Sequence, residues 1–237
     1  MEPIPEAMPH GAIIEVFPEI YFVSGTMQAE LEGSIWQFSR NMTIVREGND
    51  LTLINTVRLN PEGLAALDQL GKVKNVVRIG DLHGLDDAFY VSRYSAKYWG
   101  FPGMTQKNGL APDTFLKADG MMPFDCSLFA FETTSRPEGI LKIDSEDGIM
   151  IACDALMNWM EVDGYFSEES GALMQEAGFI QPANCGPLWM KVSEPGPSDF
   201  ERLKEISFEH ALCGHGAPLK GGASDTYVGT FARLFGV

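Results

Sequence analysis

Apolar positions gather in short runs through the first quarter of the chain, and the period then changes. Runs at residues 13–17, 20–24, 35–38, 42–46 and 51–55 are rich in β-branched or aromatic residues and bounded by Gly, Asn, Asp or Pro, which predicts strands of an antiparallel sheet. From Asn60 the spacing becomes helical. In "NPEGLAALDQLG", Asn60 is a plausible N-cap, Pro61 takes the first helical position, Leu64, Leu67 and Leu70 share a face, and Gly71 stops the helix. Residues 74–79 then form a short apolar strand, and after "GDLHGLDD" a helix capped by Asp87 is expected to carry Val91, Tyr94, Ser95 and Tyr98 on one face.

The later part repeats this grammar. Strands are expected at 128–131, 140–143 and 149–153, the last running directly into Asp154, and helices at 167–178 and 198–206. "FEHALCGHGAPLKGG" brings a short strand to His215 in a glycine-flanked turn, and a helix over 224–235 closes the chain. The Gly/Pro-rich stretches are too short to separate domains, so residues 1–237 are read as one α/β domain.

Composition narrows the partners. The 237 residues are 45% hydrophobic, enough for a sizeable core, while 33 acidic against 17 basic residues leave a formal charge of −16. Such a chain repels nucleic acid and anionic membrane surfaces. The segment "MEPIPEAMPHGAIIEVFPEIYF" has acids where a secretory signal needs basic residues and no apolar run of spanning length, so a cytoplasmic location is expected. Cys126, Cys153, Cys185 and Cys213 form no CxxC pair, which makes reduced thiols the default.

Candidate chemistry gathers after strands. His83, Asp86, Asp87, Asp154 and His215 all fall in loops following expected strands, where separate segments converge at one edge of a sheet. Two imidazoles with two or three carboxylates make an N/O donor set suited to zinc, iron or manganese. Each residue has a plainer role open to it: Asp87 as a helix cap, Asp86 as a solvated acid, His83 as part of a turn with Gly84. His10 and His210 lack such context and are read as structural. Cys153 and Cys213 adjoin Asp154 and His215, which suggests a thiolate ligand or a Cys-His nucleophile. Strand alternation, however, points Cys153 away from Asp154 and favours a buried core role for both thiols. Met121, Met122, Met157, Trp159 and Met160 suit a core or a pocket wall.

In order, these pieces resemble the metallo-β-lactamase-like superfamily. "LTLINT" is similar to its strand ending in Ile-Asp-Thr, "LAALDQLGKVKNVVRIGDLHGLDD" to the following helix, strand and HxHxDH loop, "DGIMIACDALMN" to the strand bearing a bridging aspartate, and "ALCGHGAPL" to the segment with the last histidine ligand. The resemblance implies a four-layer αββα sandwich, two mixed β-sheets flanked by helices. It also implies an incomplete motif. His83 and Asp87 match the first histidine and the aspartate, but Leu85 and Ala88 stand where two further histidines belong, and Arg136 in "SRPEG" replaces the histidine of the middle motif.

On this pattern His83, Asp87, Asp154 and His215 are the expected catalytic and metal-binding residues. One divalent ion (zinc, iron or manganese) remains on Asp87, Asp154 and His215, with His83 as base or extra ligand, and Arg136 is expected to fill the vacated first site and pair with Asp154. The implied activity is metal-dependent hydrolysis of a small ester, thioester, lactone or amide. Arg136, Trp159 and Trp189 are placed at the substrate pocket, with the stretches 101–122, 159–166 and 185–190 around it. The alternative is a metal-free, non-catalytic descendant of the fold that binds a small molecule or a protein partner.

Overall fold

The computed structural model describes residues 6–31 and 33–237. Seven strands form the first sheet in chain order: β1 (Ile14–Phe17), β2 (Ile20–Leu31), β3 (Ser34–Glu47), β4 (Asp50–Ile54), β5 (Lys72–Val77), β6 (Lys97–Gly100) and β7 (Thr114–Phe115). β1 to β4 pair antiparallel, whereas β4 to β7 pair parallel: helices α1 (Pro61–Leu70) and α2 (Asp87–Tyr94) provide the first two crossovers, and residues 101–113 the third. The second sheet holds β8 (Ser127–Ala130), β9 (Gly139–Ile143), β10 (Ile149–Ala152), β11 (His210–Cys213) and β12 (Leu219–Lys220), ordered β12-β11-β10-β9-β8, with β10 and β11 parallel and the other pairs antiparallel. Between β10 and β11 run α3 (Glu168–Glu176), α4 (Pro187–Ser193) and α5 (Pro197–Leu203), and α6 (Ala223–Phe235) closes the chain.

The period-two pattern sorts each strand's side chains into two layers. Phe22, Val45, Ile54 and Val77 of the first sheet meet Leu141, Ile143, Ile149, Ile151 and Leu212 of the second in the inter-sheet core. Their strand neighbours Val23, Ile44, Leu53 and Val76 face outward under Leu64 and Leu67 of α1 and Tyr90 of α2. On the far side, Ile140, Met150 and Ala211 pack under Trp189, Phe200, Tyr227 and Phe231. Helices therefore cover the outer face of each of two packed sheets, giving the expected αββα layering. Among the described residues no helix is long and apolar enough to cross a membrane.

Several expectations shift. The runs at 35–38 and 42–46 belong to one 14-residue strand, β3, paired with a 12-residue β2 through a continuous antiparallel register. Polar Ser39, Arg40 and Asn41 interrupt the apolar pattern at the middle of β3, yet all three are buried, and each has a partner at the site described below. Tyr98 does not extend the α2 face. Ser95 adopts a left-handed conformation that ends the helix, and Tyr98 enters β6. The short elements β6, β7, β12 and α4 lack enough residues to show a period.

Ile151 lies in the inter-sheet core with no solvent exposure, so Ile151→Ala should lower the unfolding free energy by roughly 2–5 kcal/mol in urea titrations. Asn60, whose side chain accepts the Gly63 N–H at 2.8 Å, should cost about 1 kcal/mol when changed to Ala. A loss below about 1 kcal/mol for Ile151→Ala would contradict a packed interface between the sheets.

Candidate metal centre

Strand ends bring the site together. In the parallel pair β10 and β11, Ala152 stands opposite Cys213, so Asp154 and His215 emerge side by side two residues beyond. The first sheet holds both ends in place. Asn55 Nδ2 donates to the Ala152 carbonyl at 3.1 Å, and Asn41 Nδ2 donates to the carbonyls of Cys213 and Gly216 at 3.0 and 2.6 Å. Gly216 makes the turn possible: its φ is +84°, and a Cβ there would lie 2.0 Å from the Asn158 carbonyl oxygen. His83 arrives on the loop after β5, where Gly84 (φ +100°) turns the chain against the Arg78 side chain.

Four donor atoms meet here. His83 Nε2 is 3.1 Å from His215 Nε2 and 3.3 Å from Asp154 Oδ2, and His215 Nε2 is 3.2 Å from Asp154 Oδ1. All three residues are almost completely buried. His215 Nδ1 lies 2.9 Å from the Ser39 carbonyl, which can only accept, so Nδ1 carries a proton, and in the neutral ring Nε2 directs a lone pair at Asp154 and His83. Acceptors facing one another at these distances repel unless a proton or a metal cation lies among them. Donor atoms bound to a tetrahedral ion at roughly 2 Å stand about 3.3 Å apart, close to the separations seen here, so the residues fit a divalent ion.

Electrostatics agree with that fit. Burial by itself would raise Asp154, but the positive charge and N–H groups of the protonated His83 and His215 imidazoles outweigh it and hold the carboxyl far below the usual carboxylate range. Burial pulls His83 down, with Asp154 opposing, and the nearby charge of Arg40 pushes the same way as burial. The centre forms the polar floor of a cavity of about 170 Å³ whose walls include Met27, Trp36, Phe38, Met157 and Trp159. Met27 and Phe38 are direct cross-strand partners at the far half of the β2–β3 hairpin, as are Ala29 and Trp36, so the hairpin supplies one wall. Trp159 packs 4.8 Å from the His215 ring and donates Nε1–H to Ser39 Oγ at 2.8 Å.

Two further residues belong to the site. Cys153 Sγ lies 3.5 Å from Asp154 Oδ2, and the ligand atoms of His83, Cys153 and Asp154 fall within 4.8 Å of one another. Strand alternation pointed Cys153 elsewhere, but β10 ends at Ala152 and the bend that follows lets successive side chains converge. Burial and the adjoining carboxyls push its thiol well up, so it stays protonated where no cation is bound. Glu138, also buried, accepts the Ala155 N–H through Oε1 at 2.5 Å, while Oε2 has no hydrogen-bond partner. Burial first, then the Asp154 charge, raise its carboxyl well above normal. Nothing in "SRPEG" distinguished this glutamate from a surface residue.

Other expected residues lie elsewhere. Asp87 is buried at the first turn of α2, and its two oxygens accept from the Thr56 hydroxyl at 2.6 Å and the Tyr98 hydroxyl at 2.9 Å, so its carboxylate is committed away from the His83 group. Arg136 does not pair with Asp154. Its Nη1 binds Asp81 Oδ2 at 2.9 Å, and Asp81 also takes the Thr105 N–H and hydroxyl, so the acid of "GDLHGLDD" that captures this guanidinium is the first one. Asp86, read as solvated, is buried in an ion pair with Arg40. Trp189 turns into the helix-side core between Phe131 and Phe200, and its neighbour Leu188 reaches the cavity. Phe101 and Phe124 join the inter-sheet core, and Met121 is exposed. His10 and His210 brace the backbone at Asn60 and Gly221.

No protein-family model and no curated protein matches the sequence. Among solved structures, the metallo-β-lactamase FIM-1 from Pseudomonas aeruginosa, in a mono-zinc form, superposes with a TM-score of 0.60 at 12% identity, covering 98% of each chain. A metallo-β-lactamase from Erythrobacter litoralis gives 0.56 at 10% identity, over 94% of this chain and 92% of that one. The protein thus has a metallo-β-lactamase-like fold over nearly its whole length.

Burial raises the Asp87 carboxyl against the opposing hydrogen bonds of Thr56 and Tyr98. A folded pKa above the unfolded value contributes stability at low pH that is lost as pH rises from about 4 through the folded value. Asp87→Asn should remove that decline, so its stability relative to wild type should increase from pH 4 to pH 8 in denaturant titrations. A difference that stays constant across this range would contradict the assignment.

Proposed function

We propose that the protein is a hydrolase using one divalent metal ion held by His83, Asp154 and His215, with Cys153 at the edge of the donor set. The observation that carries this reading is the convergence of two imidazole Nε2 atoms and one carboxylate at 3.1–3.3 Å on the floor of an otherwise apolar cavity. The nitrogen and oxygen donors suit zinc, iron or manganese, and a thiol in reach favours zinc among them. Such an ion would supply Lewis-acid activation of water and of a carbonyl.

The chain's own residues do the remainder. The Ser39 carbonyl sets the His215 tautomer, and Asp154 stays ionised with one oxygen beside each Nε2, so that nitrogen and oxygen donors could face one cation. His83, kept neutral by burial, presents a lone pair at Nε2 that ligates or accepts a proton from the attacking water. Phe38, Trp159 and the methionines exclude bulk water and favour a small apolar group beside an ester, thioester, lactone or amide. The net charge of −16 supports a small-molecule substrate over nucleic acid, and four cysteines without disulfides suit a reducing cytoplasm.

Protein purified without chelator, or reconstituted with each ion, should carry close to one equivalent of metal by elemental analysis. Asp154→Ala and His215→Ala should lose it, whereas Asp87→Asn should retain it. Metal-loaded protein should hydrolyse short acyl esters or thioesters, with a loss of at least about 100-fold in kcat/KM on Asp154→Ala. Absence of metal after reconstitution with all three ions would refute this reading and favour the metal-free binding protein.

A further inference from the structure

Apart from His83, Asp154 and His215 themselves, no side chain lining the cavity above the centre is charged, although 21% of the chain's residues are. Aromatic rings wall it instead. Phe38 meets Trp159 edge-on with centroids 6.1 Å apart, Trp36 meets Phe179 at 6.3 Å, and Trp159 lies 6.5 Å from Phe179. Four rings, from β3, from the loop after β10 and from the turn after α3, thus form one connected box, and Met27, Met157 and Met174 line the space with them. Phe38 and Trp159 are buried beside the centre, whereas Ala29, Trp36 and Phe179 are half-buried, so the mouth lies between the hairpin and Phe179.

Size and polarity select the occupant. An apolar cavity of about 150 Å³ takes up one benzene ring, and this one measures about 170 Å³. Walls that offer ring faces and edges favour another ring over an alkyl chain of equal size. A charge on the far side of that ring would lie among Met27, Trp36 and Phe179 with no counter-ion. We propose that the cavity binds a single uncharged aromatic ring, carried by the substrate next to its scissile carbonyl, as in an aryl or arylacetyl ester, thioester or amide. Ala29 sets the limit. It is the cross-strand partner of Trp36 and the smallest side chain of the lining, and it leaves the place of the ring open without touching the centre.

The word substrate rests on the hydrolase reading; the ring site does not, and it is tested in chelator-treated protein. Benzamide, hexanamide, 4-carboxybenzamide and 4-(trimethylammonio)benzamide are titrated by calorimetry. Benzamide should bind at least tenfold more tightly than either charged analogue and at least threefold more tightly than hexanamide. Ala29→Trp, which fills the space with its own ring, should weaken benzamide at least tenfold yet leave the metal content unchanged, whereas Ala29→Ser should stay within twofold of wild type. No binding of benzamide, equal or tighter binding of hexanamide or of a charged analogue, or an unaltered affinity in folded Ala29→Trp would overturn the proposal. The ligand comparison needs no variant, so a misfolded Ala29→Trp leaves it decisive. Failure to bind metal would refute the hydrolase reading alone, and the amide comparison would still decide the ring site.

Discussion

The pairing of β10 with β11 is the constraint on which the rest of the site depends. Parallel neighbours that end in register deliver their following residues to the same place, and here those residues are Cys153 and Asp154 from one strand and Gly214 and His215 from the other. The end of a sheet is a weak position for such precision, because the ladder no longer restrains the backbone there. Asn55 and Asn41, both from the opposite sheet, supply the restraint through side-chain hydrogen bonds to the last carbonyls of β10 and β11. Inter-sheet packing and site geometry are thus one problem: displacing the sheets would detach the asparagines and release Asp154 from His215.

The same region concentrates the cost of burying charge. Asp81, Asp86, Asp87 and Asp154 are each nearly inaccessible, and each is compensated differently. Asp81 is held by Arg78, Arg136 and Thr105, Asp86 by Arg40 and a backbone N–H, Asp87 by two hydroxyls, and Asp154 by two imidazoles. These choices divide the labour. Arginine neutralises a carboxylate permanently, a hydroxyl pair leaves it poorly solvated, and imidazoles offer lone pairs that a metal or a proton can claim. Of the four, Asp154 has the surroundings of a metal ligand, although Asp87 lies closer in sequence to His83.

Much of this was legible in the sequence. The apolar runs of the first quarter, the capped helix from Asn60, and the strand runs ending at Asp154 and His215 report burial of an element, which is a local property written into neighbouring residues. Those signals, with the order of the four motif-like segments, sufficed for the α/β class, the layered sandwich and the convergence of His83, Asp154 and His215. The long hairpin was harder to see. Ser39, Arg40 and Asn41 read as a break because polar residues are expected to be solvated, whereas each is buried against a partner distant in the chain.

Tertiary structure alone decided which carboxylate answers to which cation. Asp81, Asp86 and Asp87 share one eight-residue loop, and a sequence cannot say that Arg136 takes the first, Arg40 the second and two hydroxyls the third. It likewise could not bring Cys153 to Asp154, since the alternation rule holds only while the strand does, or place Glu138 behind them. Periodicity records which face of an element is buried. Ion pairing is settled by distances of a few ångströms between segments that are far apart in sequence, and only the folded chain sets those.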